Sequence, residues 1–400
     1  MLSGNAFYSV PQGAAYLFPV YAVFAVWNLP TWLLERATGM ALFNTIPSMI
    51  WMKLMLVPFL VLSTVQIFRI IDKSKNREYA QLGAFLFFSS ILVIYPIGII
   101  GQYDILGIPL ILWGISNWMD NKPKSFLLAF SFALVFKYFA LFYFLPLLLL
   151  KEKRIFRIVR SCLFILLPSL LFSALFPRPN GGIGNSGLIS LLLKGPQISD
   201  GKAVIYWFPL VFALVLIAAY FHEPGENGDE LKIAADCLFV TMASFCVLVD
   251  PYPYWVILAA PAFVLMLATR SCNANKLLVL ESALSWVITI KNYILYYWCF
   301  GVKTTGGMGV LHRLLGMPSP DPSEKYSVLL RYYNNLEMRS FVFTALFGIC
   351  LATVFFSCSK CRHIKLWEPL NNGVLYLRTL GNLALAFLPA AYIVFHMLFR

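Results

Sequence analysis

The chain has 400 residues, of which 60% are hydrophobic and only 12% are charged, and its formal net charge is +13. A soluble domain carries roughly 25% charged residues, so this composition excludes an ordinary soluble fold. Apolar runs of about 20 residues, enough to cross a bilayer, recur along the whole length without the alternation of barrel strands. We therefore predict an all-α fold, a polytopic transmembrane helix bundle of about 11–12 membrane segments that forms a single domain over residues 1–400.

The first apolar run, residues 14–34, differs from the later ones because it contains Pro19, Pro30 and many aromatic residues. Tryptophan and tyrosine favour the headgroup region, so this run is either a span or a set of broken helices on the outer interface. We assign residues 14–47 to an interfacial or external segment. The predicted spans that follow are 48–70, 81–101, 104–119, 125–150, 155–176, 203–221, 231–250, 252–269, 277–300, 338–357 and 375–399.

Basic residues gather in three short loops, which the positive-inside rule assigns to the cytoplasm. The three clusters are Arg69/Lys73/Lys75/Arg77, Lys151/Lys153/Arg154/Arg157/Arg160 and Lys360/Arg362/Lys365. Because the positive charge is explained by topology, we expect membrane lipid rather than nucleic acid as the partner of these residues. This orientation places residues 101–104, the turn after 250, and the loops 177–202 and 301–337 on the extracytoplasmic side.

Gly101-Gln102-Tyr103-Asp104 lies between two long apolar runs. An ionisable residue within a membrane protein's apolar sequence is a functional candidate by default. Gln102 and Tyr103 can bind the hydroxyl groups of a polar substrate, while Asp104 accepts a proton or holds a cation. An ordinary external turn is an equally good explanation.

The run 125–150 has basic residues at both ends, Lys122/Lys124 and Lys151/Lys153/Arg154. Both ends should therefore lie in the cytoplasm, which one helix cannot achieve. We predict a hairpin of two short helices bent near Lys137, with Lys137 carried toward the bilayer midplane beside Tyr138. A lysine at that depth needs an anion, either a substrate phosphate or a carboxylate of a neighbouring helix.

Other candidate residues lie further along the chain. Asp250 precedes Tyr252 and Tyr254, which are either sugar-stacking platforms or residues of the membrane's aromatic belt. The loop 301–337 joins a glycine-rich run to His312, Arg313 and Arg331, a composition that can bind phosphate or can simply be solvated. Lys291 lies deep in an apolar run and could reach Glu281 only across several helical turns. We predict no metal-ligand cluster and no certain cofactor, although a divalent metal is compatible with the acidic residues.

These pieces together resemble the GT-C superfamily of polytopic glycosyltransferases, which take sugars from polyprenyl-phosphate or dolichyl-phosphate carriers. The order and spacing of three stretches carry the resemblance, namely Tyr8–Val20, Tyr95-Pro96 with Gly101–Asp104, and Phe136-Lys137-Tyr138 with Tyr143 and Pro146. The late turn from Asp250 to Pro261 is a weaker fourth stretch. The superfamily usually has an earlier span followed by an external acidic residue. Only seven residues precede Tyr8 here, none of them acidic, so a truncated chain, a missed upstream start and another acid in that role all stay open.

The resemblance implies a hexosyltransferase that moves a hexose or mannose-like sugar from a polyprenyl-phosphate carrier to an extracytoplasmic glycan or lipid acceptor, with inversion. It implies Asp104 as base or acceptor-orienting carboxylate and Asp250 as the reserve base. It also implies sugar or phosphate contacts from Gln102, Tyr103, Lys137, Tyr138, Tyr252, Tyr254, His312, Arg313 and Arg331. We expect an integral protein of a prokaryotic plasma membrane rather than of the endoplasmic reticulum. Two alternatives remain: a transporter or flippase of a lipid-linked or anionic solute, and a non-catalytic subunit of a membrane complex.

Overall fold

The protein is described by a computed structural model that covers residues 16–42, 45–176, 197–199, 204–223, 230–249, 251–269, 273–295, 335–358 and 370–398. Within these residues the fold is all-α, as predicted, apart from one short hairpin. In the described part of the chain, four helices are long and apolar enough to cross a membrane, and a fifth candidate is a helix pair bent by 48°. Several shorter apolar helices accompany them. The number of 11–12 membrane segments stays a prediction.

The described helices are numbered in chain order. The first ten are α1 Phe18–Trp27, α2 Leu29–Thr38, α3 Ile46–Leu54, α4 Leu56–Ser74, α5 Arg77–Phe88, α6 Ile91–Ile94, α7 Ile108–Met119, α8 Pro123–Phe136, α9 Leu141–Lys151 and α10 Ile155–Leu175. The others are α11 Trp207–Phe221, α12 Glu230–Leu248, α13 Ala260–Ala268, α14 Ala274–Leu295, α15 Leu336–Cys358 and α16 Asn372–Leu398. A π-helix spans Tyr95–Ile100, and 3-10 helices span Tyr103–Gly107, Tyr138–Ala140 and Pro253–Ala259.

Three predicted spans differ from the structure at their starts. Residues 204–206 form strand β2, which pairs antiparallel with β1, Gln197–Ser199, so the helix predicted from 203 begins only at Trp207. The spans predicted from 104 and 252 each open with a 3-10 helix and become α-helical later. Tight 3-10 turns are common at helix N-termini, and apolarity alone does not distinguish them from α-helix.

Residue contacts divide the chain into two compact units. The first comprises Met1–Gln66 and Asp104–Asn227, and the second comprises Ile67–Tyr103 and Gly228–Arg400. In the first unit, α1 and α2 are separate helices of 10 residues each, about 15 Å long, so neither can cross a membrane alone. This favours the broken-helix interpretation of the N-terminal segment over a span.

Two tryptophans tie this N-terminal segment to α3. The indole rings of Trp27 and Trp51 stack with centroids 4.8 Å apart. Each indole N–H also donates to the other residue's backbone carbonyl, at 2.9 Å from Trp27 and 3.0 Å from Trp51. The reciprocal arrangement satisfies both indole donors, which tryptophan requires when it is removed from water.

The structure confirms the hairpin predicted for residues 125–150, which consists of α8 and α9. Trp118, at the end of α7, donates its indole N–H to the Leu147 carbonyl at 2.8 Å. The Lys151 ammonium, at the end of α9, donates to the Trp118 carbonyl at 2.7 Å and to the Asn121 side chain. Asn121 lies two residues before α8 begins at Pro123, so the start of α8 and the end of α9 lie at the same end of the hairpin.

Lys153 closes the hairpin on the same side. Its ammonium donates to the carbonyls of Leu149 and Ala219, at 2.7 and 2.8 Å, in the last turns of α9 and α11. A cation at two helix C-termini satisfies terminal carbonyls and complements both helix dipoles. Burial lowers the pKa of this ammonium. Lys151 and Lys153 of this basic cluster thus bind the ends of packed helices.

Candidate functional site

Asp104 follows an abrupt end of helical structure. The π-helix ends at Gly101, whose φ of +71° lies in the left-handed region that glycine adopts without strain. The backbone N–H of Gln102 then donates to the Pro96 carbonyl at 3.0 Å. The next five residues form the 3-10 helix that carries Asp104, and α7 begins at Ile108. The tetrapeptide is therefore a structured segment that leads into α7.

Lys137 lies at the tip of the hairpin. It has extended backbone angles, φ −157° and ψ 122°, between the end of α8 and the 3-10 turn before α9. Its N–H still donates to the Ala133 carbonyl at 2.9 Å, and its carbonyl accepts from the Ala140 N–H at 3.1 Å. The helix break therefore leaves neither backbone group of Lys137 unsatisfied, as a buried break requires.

The Lys137 ammonium and the Asp104 carboxylate form an ion pair within the first unit. The Asp104 side chain is only 1% exposed and that of Lys137 only 10%. Gly107, three residues after Asp104, lies beside the end of α8, where an added Cβ would make an ordinary van der Waals contact of 3.6 Å with the Cβ of Phe136. From the sequence we predict one of two anionic partners for Lys137, a substrate phosphate or a carboxylate of a neighbouring helix. In the structure the carboxylate of Asp104 is the partner.

Aromatic rings complete the surroundings of the ammonium. The Lys137 nitrogen lies 5.0 Å from the centroid of the Tyr16 ring and 5.8 Å from that of Phe139. Both distances fall within the range of cation–π attraction. In the described part of the chain, Lys137 therefore contacts the Asp104 carboxylate and the rings of Tyr16 and Phe139, and its 10% exposure makes it the more accessible member of the pair.

A buried, neutral pair of this kind can accept a substrate in one definite way. A phosphate arriving at Lys137 would share the ammonium with Asp104, and the carboxylate could then take a hydrogen bond from a hydroxyl group. The pair alone performs neither step. It supplies a cation and a carboxylate held together in low dielectric, where each charge acts more strongly than in water.

The other predicted site residues are distributed as follows. Gln102, Tyr103 and Tyr138 are half-buried. In the second unit, the rings of Tyr252 and Tyr254 stack with centroids 5.7 Å apart, and both meet Trp255 edge-on. This aromatic cluster has the flat faces that sugar rings pack against, and it equally fits a membrane-interface belt. Asp250, His312, Arg313 and Arg331 lie outside the described residues, as does most of the loop 301–337.

A second buried ion pair was not predicted from the sequence. In the second unit, the Arg378 guanidinium donates to both carboxylate oxygens of Glu281, at 2.9 and 3.3 Å. It also donates to the Ser89 hydroxyl at 3.0 Å and to the Leu86 carbonyl at 3.1 Å. The sequence considered Lys291 for Glu281, but Lys291 instead donates to the Cys246 carbonyl at 3.4 Å. An arginine inside the apolar run 375–399 was the available signal.

Within the described residues, His, Cys, Asp and Glu form no group of three or more that could hold a metal ion. The divalent metal stays an open expectation, because Asp250 and the long external loop are outside the described residues.

The comparison with protein families matches the EpsG family over residues 39–267, which is more than half of the chain. The chain belongs to the EpsG family. This family comprises membrane, glycosyltransferase-like proteins of polysaccharide biosynthesis, so the chain is an integral membrane protein of that kind. No curated protein and no solved structure matches the chain.

The residues that match the EpsG family contain one of the two buried ion pairs and not the other. The match includes Asp104, Lys137 and the aromatic cluster at 252–255, and it ends before Glu281 and Arg378. The part of the chain that carries the family's identity therefore contains the Asp104–Lys137 pair, whereas the Glu281–Arg378 pair lies beyond it. We take the first pair as the candidate site and the second as structural.

Proposed function

We propose that this EpsG family member is a GT-C-like glycosyltransferase that moves a hexose from a polyprenyl-phosphate carrier to an extracytoplasmic glycan or lipid acceptor. The observation that carries the proposal is the buried Asp104–Lys137 pair at the tip of the α8–α9 hairpin, inside the family match. Charged groups at such depth are expensive, and an intramembrane ionisable residue is a functional candidate by default.

The depth of the pair supports an extracytoplasmic site. The basic end of the hairpin, at Lys151 and Lys153, is assigned to the cytoplasm by the positive-inside rule. The 14 residues of α8 separate that end from Lys137 by about 21 Å. The hydrocarbon core is about 30 Å thick, so a helix running along the membrane normal would carry Lys137 past its middle, which supports a site nearer the opposite face.

In this proposal Lys137 holds the phosphate of the carrier and Asp104 holds the acceptor hydroxyl. The acceptor oxygen attacks the anomeric carbon from the face opposite the phosphate, and the bond from that carbon to the phosphate oxygen breaks. The electron pair leaves with the polyprenyl phosphate, and the hydroxyl proton passes to Asp104 and then to solvent. Attack from the opposite face inverts the anomeric centre.

The ion pair also limits what Asp104 contributes. The carboxylate already binds the Lys137 ammonium, so positioning of the hydroxyl matters more than strong proton abstraction. Phosphate is a good leaving group, and the Lys137 ammonium would stabilise the negative charge that develops on it. Electrostatic stabilisation of the leaving group is therefore expected to contribute more than proton abstraction.

The proposal is tested by transfer of labelled hexose from a polyprenyl-phosphate carrier in proteoliposomes that contain the full chain. Asp104→Asn should lower the transfer rate by about 10²- to 10⁴-fold, the usual contribution of a positioned acid–base group. Asp120→Asn is the matched control, because Asp120 pairs with Lys122 at the other end of α7 and should transfer at the wild-type rate. Full activity in Asp104→Asn would remove Asp104 from the mechanism.

The same assay separates the enzyme from a transporter. The broken hairpin and the intramembrane lysine also suit transport of a lipid-linked solute. A transporter would move the labelled carrier across the vesicle membrane without forming a new glycosidic bond. Product analysis that finds only unchanged carrier, now on the opposite leaflet, would replace the glycosyltransferase by the transporter.

A further inference from the structure

The first unit contains a cavity of about 490 Å³ at the end of the hairpin that is remote from the Asp104–Lys137 pair. Its volume lies within the range of small-ligand sites. Apolar side chains form its wall: Trp118, Pro123, Phe126, Leu127, Leu147 and Leu148. Neither Asp104 nor Lys137 lines it, so this cavity is distinct from the candidate catalytic site.

Cations surround this apolar wall. Arg157, Arg160 and Ser161 line the cavity from the start of α10, and their spacing of three and four residues places them on one helix face. Lys122, which precedes α8, and Lys151, the last residue of α9, also line it. Four cationic side chains therefore contribute to the lining.

Carboxylates offset only part of this charge. Glu152 also lines the cavity and pairs with Arg157 at 3.5 Å, and Asp120 pairs with Lys122 at 3.2 Å. In the described part of the chain, no carboxylate lies within ion-pair distance of Arg160. The rim thus keeps an excess of positive charge, which complements an anion.

The rim also lies where a membrane surface is expected. α10 is one of the four helices long and apolar enough to span, and Arg157 and Arg160 are in its first two turns. A ligand that suits a basic rim, an apolar wall and an interfacial position is an amphiphile with an anionic head. Inner-leaflet phospholipids have this chemistry, and basic pockets beside transmembrane helices bind them.

We propose that this cavity binds one anionic glycerophospholipid of the cytoplasmic leaflet. Its phosphate lies between Arg157 and Arg160, and the first carbons of its acyl chains lie against Phe126 and Leu148. The lipid would bridge α8, α9 and α10 at the base of the hairpin whose tip carries Lys137. This inference does not depend on the proposed sugar transfer.

The test is native mass spectrometry of the purified full chain titrated with phosphatidylglycerol, and with phosphatidylcholine carrying the same acyl chains. The wild type should bind the anionic lipid at least about tenfold more tightly. The double variant Arg157→Gln/Arg160→Gln should lose that preference, since a charge-assisted hydrogen bond contributes about one order of magnitude in affinity. Ser161→Trp, which places an indole in the cavity lining and keeps every charge, should lose it as well.

The control is Lys75→Gln/Arg77→Gln, which removes the same charge from another basic loop and should retain the preference for phosphatidylglycerol. Equal losses in the control and in the Arg157/Arg160 variant would overturn the proposal in favour of unspecific attraction. Tight binding of free glycerol 3-phosphate would overturn it in favour of a soluble anion. Tighter binding of polyprenyl phosphate than of phosphatidylglycerol would assign the cavity to the sugar carrier and also overturn it.

Discussion

The Asp104–Lys137 pair predicts an asymmetric effect when either charge is removed. Lys137→Met leaves a carboxylate whose side chain is 1% exposed without its cation. Breaking a buried pair in this way costs about 3–5 kcal/mol. Asp104→Asn leaves an ammonium that is 10% exposed and still lies 5.0 Å from the Tyr16 ring. A cation–π contact still stabilises the ammonium by about 0.5–2 kcal/mol. We therefore expect Asp104→Asn to lower the free energy of unfolding by only about 1–3 kcal/mol.

The double variant Asp104→Asn/Lys137→Met has no stranded charge. Its loss of stability should be smaller than the sum of the two single losses by about 2–3 kcal/mol, the interaction energy expected for contacting residues in a thermodynamic cycle. The purified protein is unfolded in mixed micelles by increasing amounts of a denaturing detergent, and unfolding is followed by tryptophan fluorescence. This assay gives the free energies of unfolding of the wild type, of the two single variants and of the double variant. Asp120→Asn and Lys124→Met provide matched charge removals at exposed positions, where each should change stability by less than about 1 kcal/mol.

Two results would refute this reasoning. If the single losses add within about 0.5 kcal/mol in the double variant, the two side chains do not interact as the structure describes. If Asp104→Asn is the more destabilising single variant, the exposure and ring contacts of Lys137 do not stabilise its unpaired ammonium as we infer.

Two further predictions concern packing and the second ion pair. Arg378→Met should lower the free energy of unfolding by about 3–5 kcal/mol, because it leaves the buried carboxylate of Glu281 without a cation. Arg378→Lys should lower it less, since lysine keeps the charge but not the bidentate geometry. Unchanged stability in Arg378→Met would contradict the described network. Gly114→Ala should cost about 1–3 kcal/mol, because its Cβ would lie 2.4 Å from the Phe130 ring. Gly98→Ala, which meets nothing within 4 Å, is the control, and equal melting temperatures for the two variants would contradict the close packing of α7 on α8.

The hairpin was predictable because two independent signals agreed on it. Basic residues at both ends of one apolar run require a re-entrant path, and Lys137 in its middle locates the break. The same physics identified Asp104 as a costly charge, and a carboxylate of a neighbouring helix was one of the two partners proposed for Lys137. Which carboxylate it is depends on how α7 packs on α8, a property of three-dimensional packing that sequence periodicity does not contain.

The pairing of Glu281 with Arg378 was harder to predict for the same reason. The two residues are 97 positions apart, and helical periodicity relates only neighbours of three or four positions. Lys291 was considered because it lies on the same helix, yet the structure pairs Glu281 across to α16. The strand β2 was missed because Val204-Ile205-Tyr206 is as apolar as the helix that follows it.

The central claim is that Asp104 and Lys137 serve sugar transfer and not only the stability of the hairpin tip. The most direct measurement is hexose transfer from a polyprenyl-phosphate carrier by the double variant Asp104→Asn/Lys137→Met in proteoliposomes, at a temperature where its folded fraction equals that of the wild type. We predict that transfer falls at least about 10²-fold although the fold is retained. Transfer at the wild-type rate would contradict the account, because it would make the ion pair a structural contact that neutral side chains replace.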